Sequence, residues 1–220
     1  MLAAFNTNTA ACTGVLGWVL VDYIKYRGKF SVVGACEGAI AGLVGITPAA
    51  GFVSIWLAAV IGFITSIVCA SLQDLNEWLH IDEGMDVFKL HGIGGMVGAF
   101  LTGIFASQSI AALDGVTEAT GGIDGNGMQV GKQLAEVCAI SVYSFTVSCI
   151  LLYILKFIPG MQLRVHEEGE MVGLDQTQFI DEQIGERGIL DDLCGSSPSP
   201  FPSPAGASVN EGGVVGLEKR

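Results

Sequence analysis

"DVFKLHGIGGMVGAFLTGIFA", residues Asp86–Ala106, decides how the rest of the chain is read. Past its first charged residues it is small and apolar for about the 20 positions that a helix needs to cross a hydrocarbon core. One imidazole, His91, lies inside it. At about 100° per residue, a straight α-helix puts His91, Gly94, Gly95, Gly98 and Thr102 on one face. Lys89 then points about 200° away from His91. This geometry turns His91 into a helix bundle. It leaves Lys89 to snorkel to the interface or to reach Asp86 three residues earlier.

The composition agrees with a membrane reading. Half of the 220 residues are hydrophobic, only 15% are charged, and the mean hydropathy is +0.56. Soluble domains carry about 25% charged residues. The net charge of −12 is local, because half of the acidic residues lie between Glu167 and Glu218. The chain offers no basic face for nucleic acid. Its six cysteines form no CxxC pair and no metal-ligand spacing, so they read as small hydrophobes. No cofactor and no metal is expected. Met1 opens directly on an apolar stretch without a basic leader region, which reads as the start of a fragment of a longer membrane protein.

The expected fold class is all-α: a polytopic membrane helix bundle of about five transmembrane helices with a largely irregular cytoplasmic tail. The spans read as residues 2–21, 31–50, 52–72, 87–105 and 134–158. The second is apolar to Thr47 and stopped by Pro48, and the fifth is stopped by Pro159-Gly160. Residues 1–160 form the membrane domain, 161–193 a charged tail, and 194–220 a Pro/Ser/Gly-rich segment expected to be disordered. Lys25, Arg27, Lys29, Lys89, Lys156 and Arg164 fall on one side of the membrane and Lys132 on the other. The basic side is cytoplasmic, so the N-terminus is outside and the C-terminus inside. The stretch 107–131 reads as a turn-rich external connector.

Small residues recur four apart at Gly34, Gly38 and Gly42, at Gly94 and Gly98, and at Ala99 and Gly103. They predict closely packed helices, whether or not that packing also frames a pathway. Glu37 lies inside the second span. A carboxylate there must be paired, protonated or near water, and a structural hydrogen bond to a neighbouring helix is its expected role. Asp86, Glu83 and Asp82 complement a helix N-terminus. Of the three histidines, His166 lies in the polar tail and His80 in a loop. His91 lacks partners for metal ligation and no nucleophilic constellation accompanies it, so an enzyme is not expected. A path-lining role and a structural role both fit His91.

These residues also carry a family resemblance. Asp86–Ala106 resembles the penultimate transmembrane helix of the ammonium transporter family, in its Amt/Mep branch. "GACEGAIAGLVGITPAAGFV", Gly34–Val53, resembles that family's signature two helices earlier. "FNTNTAACTGVLGWVLVDYIKYRGKFS" resembles the helix before it, and "LRVHEEGEMVGLDQTQF", Leu163–Phe179, is similar to the regulatory tail. The resemblance implies the last five of eleven helices, and a homotrimer in the plasma membrane whose subunits each conduct ammonium or ammonia through a hydrophobic pore. It implies that His91 is the second of twin pore histidines and that Val87 lines the pore. Asp86 becomes a carboxylate near the inner exit, and Glu83 a further inner-exit or structural carboxylate. Thr177 matches a tail threonine that is phosphorylatable in some relatives. Glu37 and Lys89 depart from the family pattern. The first histidine is absent, so this part is expected not to conduct alone. The alternative is a non-conducting membrane module that assembles with or modulates complete transporters.

Overall fold

The computed structural model describes residues 1–81, 83–160 and 163–165. Regular structure among them is helical, without strands. The elements are α1 (Leu2–Lys25), α2 (Val32–Ile46), α3 (Ile55–Ser71), a short α4 (Leu75–Leu79) and α5 (Gly94–Phe105). A π-helical segment, Phe88–Ile93, leads directly into α5. A short α6 (Gln108–Ala111) continues into a 3-10 turn, Ala112–Asp114, before the long α7 (Gly127–Lys156). The chain divides into two units, Met1–Ile150 and Leu151–Arg220. Within the second, the Tyr153 and Phe157 rings meet edge to face at 4.9 Å.

Local chemistry explains where the helices start and stop. The Ser31 hydroxyl accepts from the Gly34 amide and opens α2. Pro48 follows its end, since proline cannot continue a hydrogen-bonded helix. Gly28 takes the left-handed conformation (φ +91°) that turns the chain out of α1. α7 begins at Gly127, ahead of the apolar stretch expected from Leu134, because helix formers such as Met128, Gln129 and Gln133 extend it toward the loop. The connector read as 107–131 therefore holds α6, the 3-10 turn and the first turn of α7. In that connector Asp114 accepts from the Val116 amide (2.9 Å), the Thr117 amide (2.7 Å) and the Thr117 hydroxyl. These bonds, the hydroxyl's first, hold its carboxyl below the ordinary value.

Phe88–Phe105 and Gly127–Lys156 are each long and apolar enough to cross a membrane, while α2 and α3 are shorter apolar helices. α7 has no buried residue; its first turns carry Gln129, Lys132, Gln133 and Glu136, and from Val137 to Leu155 it holds no charged residue.

Inside the first unit α1, α2 and α3 pack on one another, and α5 lies against α2 and α3. The glycine strips sit at these crossings. A Cβ on Gly42 would strike the Ala10 carbonyl, and one on Gly98 the Gly45 carbonyl. A Cβ on Gly38 would lie 2.6 Å from the Trp18 Cβ. In lipid, apolar surface gains little by leaving one oily neighbour for another, so close backbone contact and interhelical hydrogen bonds hold the helices together. Three hydrogen bonds tie α1 down, two to the turn between α2 and α3 and one from α3. Asn6 donates to the Ala50 and Val53 carbonyls, both at 2.8 Å, and the Ser66 hydroxyl donates to the Gly14 carbonyl at 2.6 Å. Two buried apolar clusters flank the crossings. One gathers Ala10, Ile46, Ala49, Val53, Ala58, Ile61 and Leu101, and the other Trp18, Ala41, Cys69, Ala70 and Leu90.

Candidate functional site

The π segment decides where the key side chains go. Its i→i+5 hydrogen bonds give each turn about one residue more than an α turn, so about 100° of rotation accumulates across it. Counting back from α5, whose Gly94 and Gly98 are buried, the extra turn swings Lys89 and Leu90 inward and carries His91 outward. Lys89 and Leu90 are accordingly buried, while His91 is exposed. This corrects the straight-helix expectation. His91 does not share the packed face of Gly94, Gly98 and Thr102, and Lys89 does not point out to the interface. His91 and Val87 are both exposed, four residues apart, with half-buried Gly95 four residues further on.

Lys89 is 1% exposed. Its ammonium pairs with Asp86 at 2.8 Å and donates to the Gln73 carbonyl at 2.6 Å. Asp86 adopts a left-handed backbone (φ +54°), which aspartate tolerates better than most residues. Its carboxylate also accepts from the Asn76 amide at 3.0 Å. The Glu83 carboxylate accepts from the Phe88 amide at 2.6 Å and so closes the free start of the π segment. Both carboxylates thus have structural partners. Asp82 lies outside the described residues.

The network extends to α1. The Gln73 side-chain amide donates to Asp22 at 2.8 Å, and the Ser31 amide donates to the other Asp22 oxygen at 3.3 Å. Asp22 is 1% exposed. Gly34 gives it room, since a Cβ there would lie 2.7 Å from both Asp22 Oδ2 and Trp18 Nε1. Sequence reading missed Asp22, Gln73 and Asn76. Asp22 gave a signal, an acid directly after an apolar span, but its partners come from distant segments. Glu37 makes no hydrogen bond or ion pair among the described residues, so the expected bond to a neighbouring helix is not found there. Asp86, Lys89 and Asp22 lie within electrostatic reach of it.

At the rim, Lys25 pairs with Asp74 at 2.7 Å and donates to Gln73 Oε1 at 3.2 Å. The hydrogen bond to Asp74 raises the Lys25 ammonium above its ordinary 10.5. A group whose pKa is raised on folding adds stability that is fully present below the unfolded value and lost as pH climbs through the folded one. Asp74 is 70% exposed, so Asp74→Asn is expected to cost less than about 1 kcal/mol at neutral pH. The cost should vanish at a pH above the raised Lys25 value. Unfolding midpoints at the two pH values check this, and an undiminished alkaline cost would contradict it.

The described residues contain no group of three or more potential metal-ligating side chains. His80 caps α4 in a left-handed conformation, exposed, with Nδ1 3.2 Å from the Trp78 carbonyl. The structure does not bring it to His91's helix as a partner. Thr177 and His166 lie outside the described residues.

Comparison with known proteins agrees with this architecture. The family model described as Ammonium Transporter Family matches residues 1–184. The chain belongs to the ammonium transporter family. It is 44% identical over 182 residues to Ammonium transporter 3 of Schizosaccharomyces pombe, covering 82% of this chain and 35% of that relative. It is 46% identical to Ammonium transporter MEP2 of Saccharomyces cerevisiae, covering 79% of this chain and 36% of the other. Among solved structures it is similar to Candida albicans Mep2, with a TM-score of 0.72 and 48% identity over 76% of this chain and 37% of that one. The chain thus spans about a third of the length of these curated relatives.

Proposed function

We propose that residues 1–160 of this ammonium transporter family member form part of a membrane pathway for ammonium or ammonia, with His91 and Val87 on its wall. One observation carries the reading: the π turn sets His91 and Val87 on an exposed side of a membrane-length helix whose other side is packed through glycines. An imidazole in an apolar lining is costly unless it is used. A neutral imidazole is both donor and acceptor, so it can hydrogen-bond ammonia or relay a proton. An apolar lining strips water, which penalises the charged ion far more than the neutral molecule.

The pathway is incomplete within these residues. Support comes from the length relation to the relatives and from the lack of a second imidazole beside His91 among the described residues. The remaining expectations belong to the same proposal. They are a homotrimer in the plasma membrane with its N-terminus outside, for which the one-sided basic residues and the exposed apolar α7 speak, and a regulatory phosphate at Thr177. In a cell lacking its own ammonium transporters, this chain expressed alone is expected not to restore growth on low ammonium. Restored growth that His91→Ala abolishes would overturn the incomplete-pathway part.

A further inference from the structure

We propose that Lys89 is a positioning residue for His91, acting by holding the π turn with its buried ammonium. The inference takes from the functional reading only that His91 is the working group, and its test needs no transport.

The argument rests on the cost of a buried charge. An ammonium 2% exposed inside an apolar bundle is tolerated only while paired and hydrogen-bonded. Lys89 has both supports, Asp86 Oδ1 at 2.8 Å and the Gln73 carbonyl at 2.6 Å. They come from the turn before the π segment and from the turn that follows α3. The ammonium reaches them only because the π turn has swung the Lys89 backbone inward. Were Phe88–Ile93 to wind as an α-helix, α5 would stay fixed by Gly98 against Gly45, and the accumulated rotation would be undone upstream. Lys89 would then leave Asp86 and point outward, while His91 would turn toward the packed face of Gly94 and Gly98. The ion pair and the π turn therefore require each other.

Three further contacts fix the same register. The Lys89 carbonyl accepts from the buried Cys69 thiol at 3.4 Å, Leu90 is buried against Trp18, Ala41, Cys69 and Ala70, and Glu83 caps Phe88. None of these prefers a lysine. The lysine is explained by its charge, which the α-helical alternative would separate from Asp86. Lys89 touches the first two partners of a chain that runs through Gln73 to Asp22, so the orientation of His91 is tied to the end of α1.

The test uses the purified full chain in detergent and the imidazole-acylating reagent diethyl pyrocarbonate, read at each histidine by mass spectrometry. Exposed His80 serves as the internal standard. A side chain on a packed face reacts only through local opening, so Lys89→Met is expected to lower the His91-to-His80 labelling ratio on the order of tenfold. Lys89→Arg keeps a cation able to meet both oxygens and is expected to retain the parental ratio. A merely structural role would loosen the helix and raise the labelling of His91, the opposite sign. Should Lys89→Met fail to fold, the double variant Asp86→Asn, Lys89→Met removes the orphaned charge and is expected to show the same fall. An unchanged or raised ratio in the folded single or double variant overturns the proposal.

Discussion

Gly42→Val is expected to separate α1 from α2 and abolish the cooperative unfolding of the helical unit. A Cβ at Gly42 would strike the Ala10 carbonyl oxygen and lie 3.0 Å from its carbon and 3.2 Å from the Gly14 Cα. Every one of those atoms is backbone, so no side chain can rotate away. Overpacking an ordinary core costs about 1–3 kcal/mol because side chains yield. Here a whole helix must move. That movement also pulls on the Ser66 bond to the Gly14 carbonyl and the Asn6 bonds to Ala50 and Val53. α3 offers no slack, since a Cβ on Gly62 would already lie 2.7 Å from the Ala10 Cα. Gly131→Ala is the control. It has no neighbour within 4 Å of its added Cβ, and alanine favours the helix by up to about 1 kcal/mol. Thermal melts in detergent followed by circular dichroism check the pair. A Gly42→Val chain that melts with the parent would contradict the packing described here.

How far the sequence alone reaches depends on which interaction sets each feature. The helices were legible because long apolar runs have one economical backbone solution in lipid, although α2 and α3 are shorter than the spans expected there, and Pro48, Gly28 and Ser31 mark their ends. The glycine strips were legible as packing surfaces, and the structure adds their partners: Gly38 and Gly42 against α1, and Gly98 against Gly45. The face of His91 was not legible. Periodicity assumes one hydrogen-bond register, and a π turn changes that register without changing composition. The hint was Lys89, a charge that a straight helix left facing outward. The i,i+3 spacing to Asp86 is visible in the sequence, but burial of the pair needs Gln73 from the turn after α3, which no local pattern supplies. Asp22 went unread for the same reason, since its partner Gln73 lies 51 residues away. The turn-rich connector was misjudged at its far end, where helix propensity extended α7 past the apolar stretch.

A direct test of His91 as a path-lining residue replaces the matching segment of S. pombe Ammonium transporter 3 with residues 1–160 of this chain. Ammonium uptake is then followed in cells lacking other transporters. An imidazole that meets the permeant species offers hydrogen bonds no alkyl group can replace, and an unmet partner of this kind typically costs about 1–3 kcal/mol. His91→Ala is therefore expected to lower uptake by roughly tenfold or more. His80→Ala, altering an exposed loop cap, is expected to leave it near the chimera's own rate. If the chimera conducts and His91→Ala conducts equally well, with both proteins present in the membrane at equal amounts, His91 does not line the path.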